Sequence, residues 1–344
     1  MSKPLEALAH FGIKGVINSV ALFGGGHIND TYHVQTSDGD FLLQRVNTEV
    51  FTNPAVLEAN LNGLFSVQLE ILVPHVKTKG GNWLLHFQND VWKMQVFDKD
   101  VYAPTLATEL DLVYEIGKGF GKFTALSKTF DVRKFEEAIP GFHNLKWRLE
   151  QLDQAVENNS ANRKAIAKIL LDKADKFKWI SKKMDDLIKK GLPLRVCHND
   201  TKIDNILLSK TSNEFKYVID LDTVGPGYVL YDFGDMMRTL LSPTKENEKD
   251  ESKIELRADY LENIRSGFLQ EAEHMLVPLE KEALSFGGLY MTYMIGIRFL
   301  ADYLNGDNYY KVSFPEENMI RARNQFRLLE LMDVPSTDKV TVCA

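Results

Sequence analysis

Arg195-Val196-Cys197-His198-Asn199-Asp200-Thr201-Lys202-Ile203-Asp204-Asn205-Ile206-Leu207-Leu208 is the stretch on which the reading of this chain turns. His198, Asp200 and Asn205 form the pattern His-x-Asp-x-x-x-x-Asn, and an apolar run follows directly. After a hairpin-like interruption comes Tyr217-Val218-Ile219-Asp220-Leu221-Asp222, a second apolar run that ends in acid. Metal-assisted phosphoryl transfer asks for this order. One Asp accepts the proton of an attacking hydroxyl, while an Asn and a second Asp hold magnesium against nucleotide phosphates. A lone His-x-Asp is common, and Asp and Asn are ordinary turn and cap residues. Order, gaps and flanking strands together carry the reading: Asp200 as base, and Asn205 and Asp220 as metal ligands.

Asp232-Phe233-Gly234 spells a second acidic motif literally. The metal-binding aspartate is expected roughly twenty residues beyond the base, which residue 220 satisfies and residue 232 does not. Asp232 therefore reads as a carboxylate that supports the catalytic loop. Asp222 reads as a neighbour of the metal site, with direct metal contact left open.

Working outward, residues 1–97 read mostly as strands: 16–23, 31–36, 41–46, 73–76, 83–87 and 91–97, with a Pro-initiated helix over 54–68. Gly24-Gly25-Gly26-His27 falls between the first two strands, where glycines would let backbone N–H groups approach phosphates. Residues 98–344 take on helical spacing, at 106–126, 145–190 and 253–332. The expectation is an α+β protein of two lobes, an antiparallel sheet of five or six strands at 1–97 and a larger, mainly helical lobe at 98–344. A cleft between lobes is a favoured small-molecule site.

Composition narrows the class. The 344 residues carry 41 Lys and Arg against 48 Asp and Glu, a formal net charge of −7, so general nucleic-acid binding is not expected. No uncharged apolar run reaches the ~18 residues of a membrane span, and the N-terminal residues show no signal-like apolar core. Only Cys197 and Cys343 are present, which fits a reducing cytoplasm better than a disulfide framework. Nothing points to a protein partner.

The segments at 24–32, 195–208, 219–223, 231–235 and 298–307 resemble the aminoglycoside phosphotransferase and choline kinase superfamily, and within it the N-acetylhexosamine 1-kinases. That resemblance implies a protein-kinase-like fold and ATP with Mg2+. It also implies phosphorylation of the anomeric hydroxyl of N-acetylglucosamine or N-acetylgalactosamine. Asp200 would be the base, Asn205 and Asp220 the metal ligands, His198 a brace of the loop. Gly24, Gly25, Gly26, His27, Gln44, Gln95 and Phe97 would meet the nucleotide; Arg298 and Tyr309, with Asp200, would meet the sugar. Asp302, four residues on, could instead pair with Arg298, and Phe142-His143-Asn144 reads first as a loop cap.

One departure stands out. The third strand, Phe41-Leu42-Leu43-Gln44-Arg45-Val46, has Gln44 where a phosphate-binding lysine is expected. Arg45, Lys202 and Arg238 are the cations on which this reading falls back. The alternatives are a kinase of the same fold acting on choline, homoserine or an aminoglycoside, a metal-dependent hydrolase, or a non-catalytic nucleotide-binding protein.

Overall fold

The computed structural model describes residues 3–24, 28–67 and 70–334. After helix α1 (Lys3–Leu8), strands β1 (Ile17–Leu22), β2 (Asp30–Thr36), β3 (Gly39–Val46), β4 (Leu84–Phe87) and β5 (Asp90–Phe97) form one antiparallel sheet in the order β1-β2-β3-β5-β4. Helix α2 (Pro54–Leu64), with Pro in its first turn, lies between β3 and β4. Residues 73–76 are not a strand. Pro74 has no N–H to give a ladder, so the segment makes only isolated bonds to β5, from the Val76 N–H to Met94 and from the Val96 N–H to Pro74.

Strand alternation sorts the sheet residues. Val34, Leu43, Trp92 and Met94 cluster with Ala7, Leu8 and Phe11, so α1 covers that face. The residues between them in sequence point the other way. Across that opposite face Thr31, Gln44 and Lys93 form one cross-strand row, and Leu42 and Gln95 another.

The rest of the chain is mainly helical. Strand β6 (Val101–Tyr102) pairs with β8 (Ile206–Ser209), which pairs with β9 (Phe215–Val218); β7 (Arg195–Cys197) pairs with β10 (Gly225–Gly227). Around these lie α3 (Leu110–Leu126), α4 (Leu145–Asn158), α5 (Lys164–Lys176), α6 (Trp179–Lys189), α7 (Val229–Leu240), α8 (Ala258–Ala272), α9 (Pro278–Asn305) and α10 (Glu317–Met332). Helix α9 is long and apolar enough to cross a membrane, yet its most apolar stretch is wholly buried inside the protein. It is the central helix of the core, which explains its composition.

Helices α7 and α9 meet backbone to backbone. A Cβ on Gly234 would lie 2.1 Å from the Gly287 carbonyl oxygen, and one on Gly287 would lie 2.0 Å from that of Leu230. The literal Asp-Phe-Gly is thus the first turns of a core helix: Phe233 is fully buried, and Gly234 is required by helix packing. Cys197 is a buried free thiol, and Cys343 lies outside the described residues.

Candidate active site

Strand β7 delivers the loop that carries Asp200, and α7 holds that loop in place. The Asp232 carboxylate accepts the N–H groups of His198 at 2.9 Å and Asn199 at 2.8 Å. Its own carbonyl takes the Thr201 hydroxyl at 2.5 Å. Asn199 sits in the left-handed region with φ +65°, which turns the chain so that Asp200 faces outward.

His198 is fully buried between the rings of Phe120 and Phe123. Its Nδ1 accepts the Asp200 N–H at 3.3 Å, so Nε2 carries the proton and donates to the Ile219 carbonyl at 2.8 Å. The imidazole therefore ties the Asp200 loop to the residue before Asp220. Thr223 reinforces this by donating its hydroxyl to the His198 carbonyl at 2.9 Å.

Asn205 donates Nδ2 to both the carbonyl and Oδ2 of Asp200, each at 2.8 Å, which leaves its amide oxygen for another partner. Lys202 Nζ lies 3.3 Å from the same carboxylate. Burial alone would raise the Asp200 carboxyl, but Lys202, His198 and the Asn205 hydrogen bond outweigh it and hold it below the usual carboxylate range. Lys202 is likewise pushed down by burial, and Asp200, Asp204 and Asp220 more than reverse this, keeping the ammonium charged.

Asp220 also adopts a left-handed backbone, with φ +60° and ψ 60°. A non-glycine residue held there costs of order 1–3 kcal/mol, a strain that gathers at functional sites. Its carboxylate is open to solvent and has no hydrogen-bond or ion-pair partner among the described residues. Desolvation by the protein crowding around it, then the Asp222 carboxylate beside it, push its pKa up to about 6. Asp222 differs in every respect: it is buried, ion-paired with Lys93, and takes the Asn29 amide at 2.8 Å. Asn29 in turn accepts the Asn47 N–H at 2.9 Å, so it bridges the Asp220–Asp222 loop to the end of β3.

Of the nucleotide residues expected from sequence, Gly25, Gly26 and His27 lie outside the described residues. Gly24 has φ +68° with open space where a Cβ would be. Gln44 donates to the Thr31 hydroxyl at 3.1 Å on the face opposite α1. Gln95 lies on that face too, and Phe97 packs on Phe23 and His33. Two of the fallback cations are committed elsewhere. Arg45, on the other face of β3, pairs with Asp30 and Asp90, and buried Arg238 pairs with Asp235 and Glu246. Besides Lys202, the Asp220–Asp222 loop is faced by Lys93 on β5, a cation the sequence reading does not single out. Its signal was one lysine inside the otherwise uncharged run Val91-Trp92-Lys93-Met94-Gln95-Val96.

On the helical side, Arg298 is 9% exposed and has no carboxylate partner among the described residues. The expected pairing with Asp302 does not form. Helix α9 ends at Gly306 and the chain folds back, so Asp302 accepts the N–H groups of Asn308, Tyr309 and Tyr310 instead, at 2.8–2.9 Å. The Arg298 guanidinium lies over Phe142 at 4.8 Å, with Tyr310 at 5.6 Å and Tyr309 at 5.7 Å. The Phe142 turn also reaches the catalytic loop: His143 Nε2 meets the Asn199 carbonyl at 2.7 Å, while Asn144 caps α4. Burial and then the nearby Arg298 lower the Arg148 guanidinium to about 10.

A phosphotransferase family model, described as the phosphotransferase enzyme family, matches residues 19–264, from the sheet through the Asp200 loop to α8. The chain belongs to that family. The fold is also that of solved relatives, all distant in sequence. An aminoglycoside phosphotransferase from Alicyclobacillus acidocaldarius is 13% identical over 96% of this chain and 95% of its own, with a TM-score of 0.63. A spectinomycin phosphotransferase, solved with ADP and spectinomycin, is 14% identical over 96% and 94%, with a TM-score of 0.59. A choline kinase from Cryptosporidium parvum is 14% identical over 92% and 90%, with a TM-score of 0.58. The protein is thus an α+β phosphotransferase of protein-kinase-like fold, with an antiparallel sheet region followed by a mainly helical one.

Proposed function

We propose that the protein is an ATP- and Mg2+-dependent kinase that phosphorylates the C1 hydroxyl of N-acetylhexosamines. The observation that carries the acceptor class is the buried Arg298 guanidinium, stacked on Phe142 with Tyr309 and Tyr310 nearby and without a carboxylate partner among the described residues, in the field of a second guanidinium at Arg148. A choline or aminoglycoside would bring a third positive charge into that field, and like charges repel. A neutral polyhydroxylated acceptor would offer oxygens to Arg298 and an apolar face to Phe142 and Tyr309. The resemblance of residues 298–307 to sugar 1-kinases points the same way.

In this reading Asp200, ionised at neutral pH, receives the proton of the attacking hydroxyl while Asn205 fixes its orientation. Asp220 and the amide oxygen of Asn205 fit magnesium: both are hard oxygen donors, and the Asp220 carboxylate lacks a protein partner among the described residues. Among the described residues no set of three or more His, Cys, Asp or Glu side chains forms a metal cage. Magnesium is usually held by one or two carboxylates plus substrate phosphates. When bound, magnesium neutralises charge on the transferring phosphoryl group.

The test is incubation with ATP, Mg2+ and a panel of N-acetylglucosamine, N-acetylgalactosamine, choline, homoserine and an aminoglycoside, with the product's phosphorylation site read by NMR. An N-acetylhexosamine 1-phosphate is expected, and preferential phosphorylation of an amine overturns the reading. Arg298→Gln is expected to raise the acceptor KM about tenfold or more while leaving the KM for ATP near wild type.

A further inference from the structure

We infer that Lys93, on β5, does the phosphate-binding work of the lysine that β3 lacks. The inference rests on the kinase reading above and concerns its nucleotide half alone.

Four observations converge on this side chain. Its register is the first: Lys93 is the direct cross-strand neighbour of Gln44, on the same face of the sheet. Moving the ammonium from the expected position to the observed one is a shift of one strand with no change of face, about 5 Å.

Burial is the second. The Lys93 side chain is 4% exposed and its ion-pair partner Asp222 only 2%. An ammonium has three N–H groups, and Asp222 is the one acceptor Lys93 has among the described residues. Two donors of a buried cation are left over, and unmet buried donors are costly. They sit beside the loop that bears Asp220, where the phosphates of a metal-bound nucleotide would lie.

Third, the usual arrangement is absent. The β3 lysine of such enzymes is paired with a glutamate of the following helix. Here the acid of that helix, Glu58 on α2, accepts the N–H groups of Trp83 at 3.0 Å and Leu84 at 2.7 Å, and so is spent on holding β4. Asp222 takes over as the lysine's partner, which ties the cation to the metal loop instead of to the helix.

Fourth, the same carboxylate holds Asn29 in the segment that follows the glycines. A phosphate drawing on Lys93 would therefore be met by the strand, the metal loop and the glycine segment through one connected set of bonds.

The experiment compares wild type, Lys93→Met and the relocated double variant Gln44→Lys/Lys93→Gln, by nucleotide binding with Mg2+ and by steady-state kinetics. Loss of charge-assisted hydrogen bonds is expected to weaken ATP binding in Lys93→Met roughly tenfold to a hundredfold with the acceptor KM little changed. The relocated lysine is expected to recover part of that loss. Because Lys93→Met leaves Asp222 unpaired and could prevent folding, the wild-type enzyme is also treated with an acyl-phosphate derivative of ATP, which acylates amines lying against the phosphates. Acylation of Lys93, suppressed by excess ATP, is expected. Equal ATP affinity in wild type and Lys93→Met, or labelling of Lys202 with Lys93 untouched, overturns the inference. A wild-type protein that binds no nucleotide overturns the kinase reading and this inference together.

Discussion

Asp232→Asn separates two consequences of the same buried carboxylate. In the folded protein burial raises the Asp232 carboxyl to about 6, the His198 and Asn199 contacts offsetting part of the rise. In the unfolded chain it returns to about 3.9. Between these values the folded state binds more protons than the unfolded one, so this group's contribution to stability is full at low pH and is lost as pH rises through 6. Integrating between those two values gives a loss of about 2 kcal/mol from pH 4 to pH 7. Asparagine is isosteric and does not titrate. The stability difference between wild type and variant should therefore shift by about 2 kcal/mol in the variant's favour across that range, read by urea unfolding at both pH values. Carboxylates that do not interact with Asp232 titrate alike in both proteins and cancel. The catalytic consequence has the opposite sign. Asn can offer one oxygen where two N–H groups converge, so one of the His198 and Asn199 donors loses its acceptor and Asp200 shifts. A displacement on the ångström scale costs about a hundredfold in rate, so kcat at pH 7.5 should drop between ten- and a hundredfold while the variant remains folded. An unchanged kcat, or a stability difference flat between pH 4 and 7, would refute the assignment of Asp232 as the loop's brace.

Three further outcomes are expected. Asp200→Asn should reduce product formation below detection while leaving the far-UV dichroism and melting temperature near wild type, since Asp200 is half-buried at the cleft and its removal empties no core; wild-type turnover would end its role as base. Gly234→Ala should destabilise the fold by about 2–3 kcal/mol, because its Cβ meets the Gly287 backbone at 2.1 Å and neither helix can yield cheaply; a melting temperature equal to wild type would disprove the close helix contact. The Mg2+ concentration needed for half-maximal activity should climb below pH 6, by up to about tenfold per pH unit, as the Asp220 carboxylate with its pKa of about 6 takes up a proton in competition with the metal; a flat requirement down to pH 5 would argue against Asp220 as a ligand.

What could be read from the sequence was whatever lies close along the chain. His198, Asp200 and Asn205 fall within eight residues on one loop, so spacing alone brings them together, and Asp220 follows at the end of a short strand. The rest depends on pairings that sequence does not carry. Lys93 belongs beside Gln44 only once β5 is known to lie next to β3, and β4 and α2 intervene between them in the chain. Asp302 stands four residues from Arg298 on one helix, which predicts a pair. The helix stops at Gly306, however, and three loop N–H groups claim the carboxylate first. The strand expected at 73–76 failed because Pro74 removes a ladder donor.

Asp220 and Asp222 are the same residue type, two positions apart in Ile219-Asp220-Leu221-Asp222, and only the roughly twenty-residue spacing from Asp200 favours the first in sequence. Their partners do. The net charge of −7 makes an anionic nucleotide unwelcome overall, so the cleft must supply local positive charge. Most of its acids are already answered: Asp222 by Lys93 and Asn29, Asp235 by Arg238, Asp232 by two backbone N–H groups, Asp200 by Asn205 and Lys202. Asp220 alone among them has no protein partner among the described residues, in a strained backbone conformation. A carboxylate that the fold strains to expose, beside a second carboxylate that it takes pains to neutralise, is placed to receive a cation. By the same reasoning Asp222 is the poorer ligand of the two in the proposed kinase, because binding a metal there would release Lys93 and strand a buried ammonium.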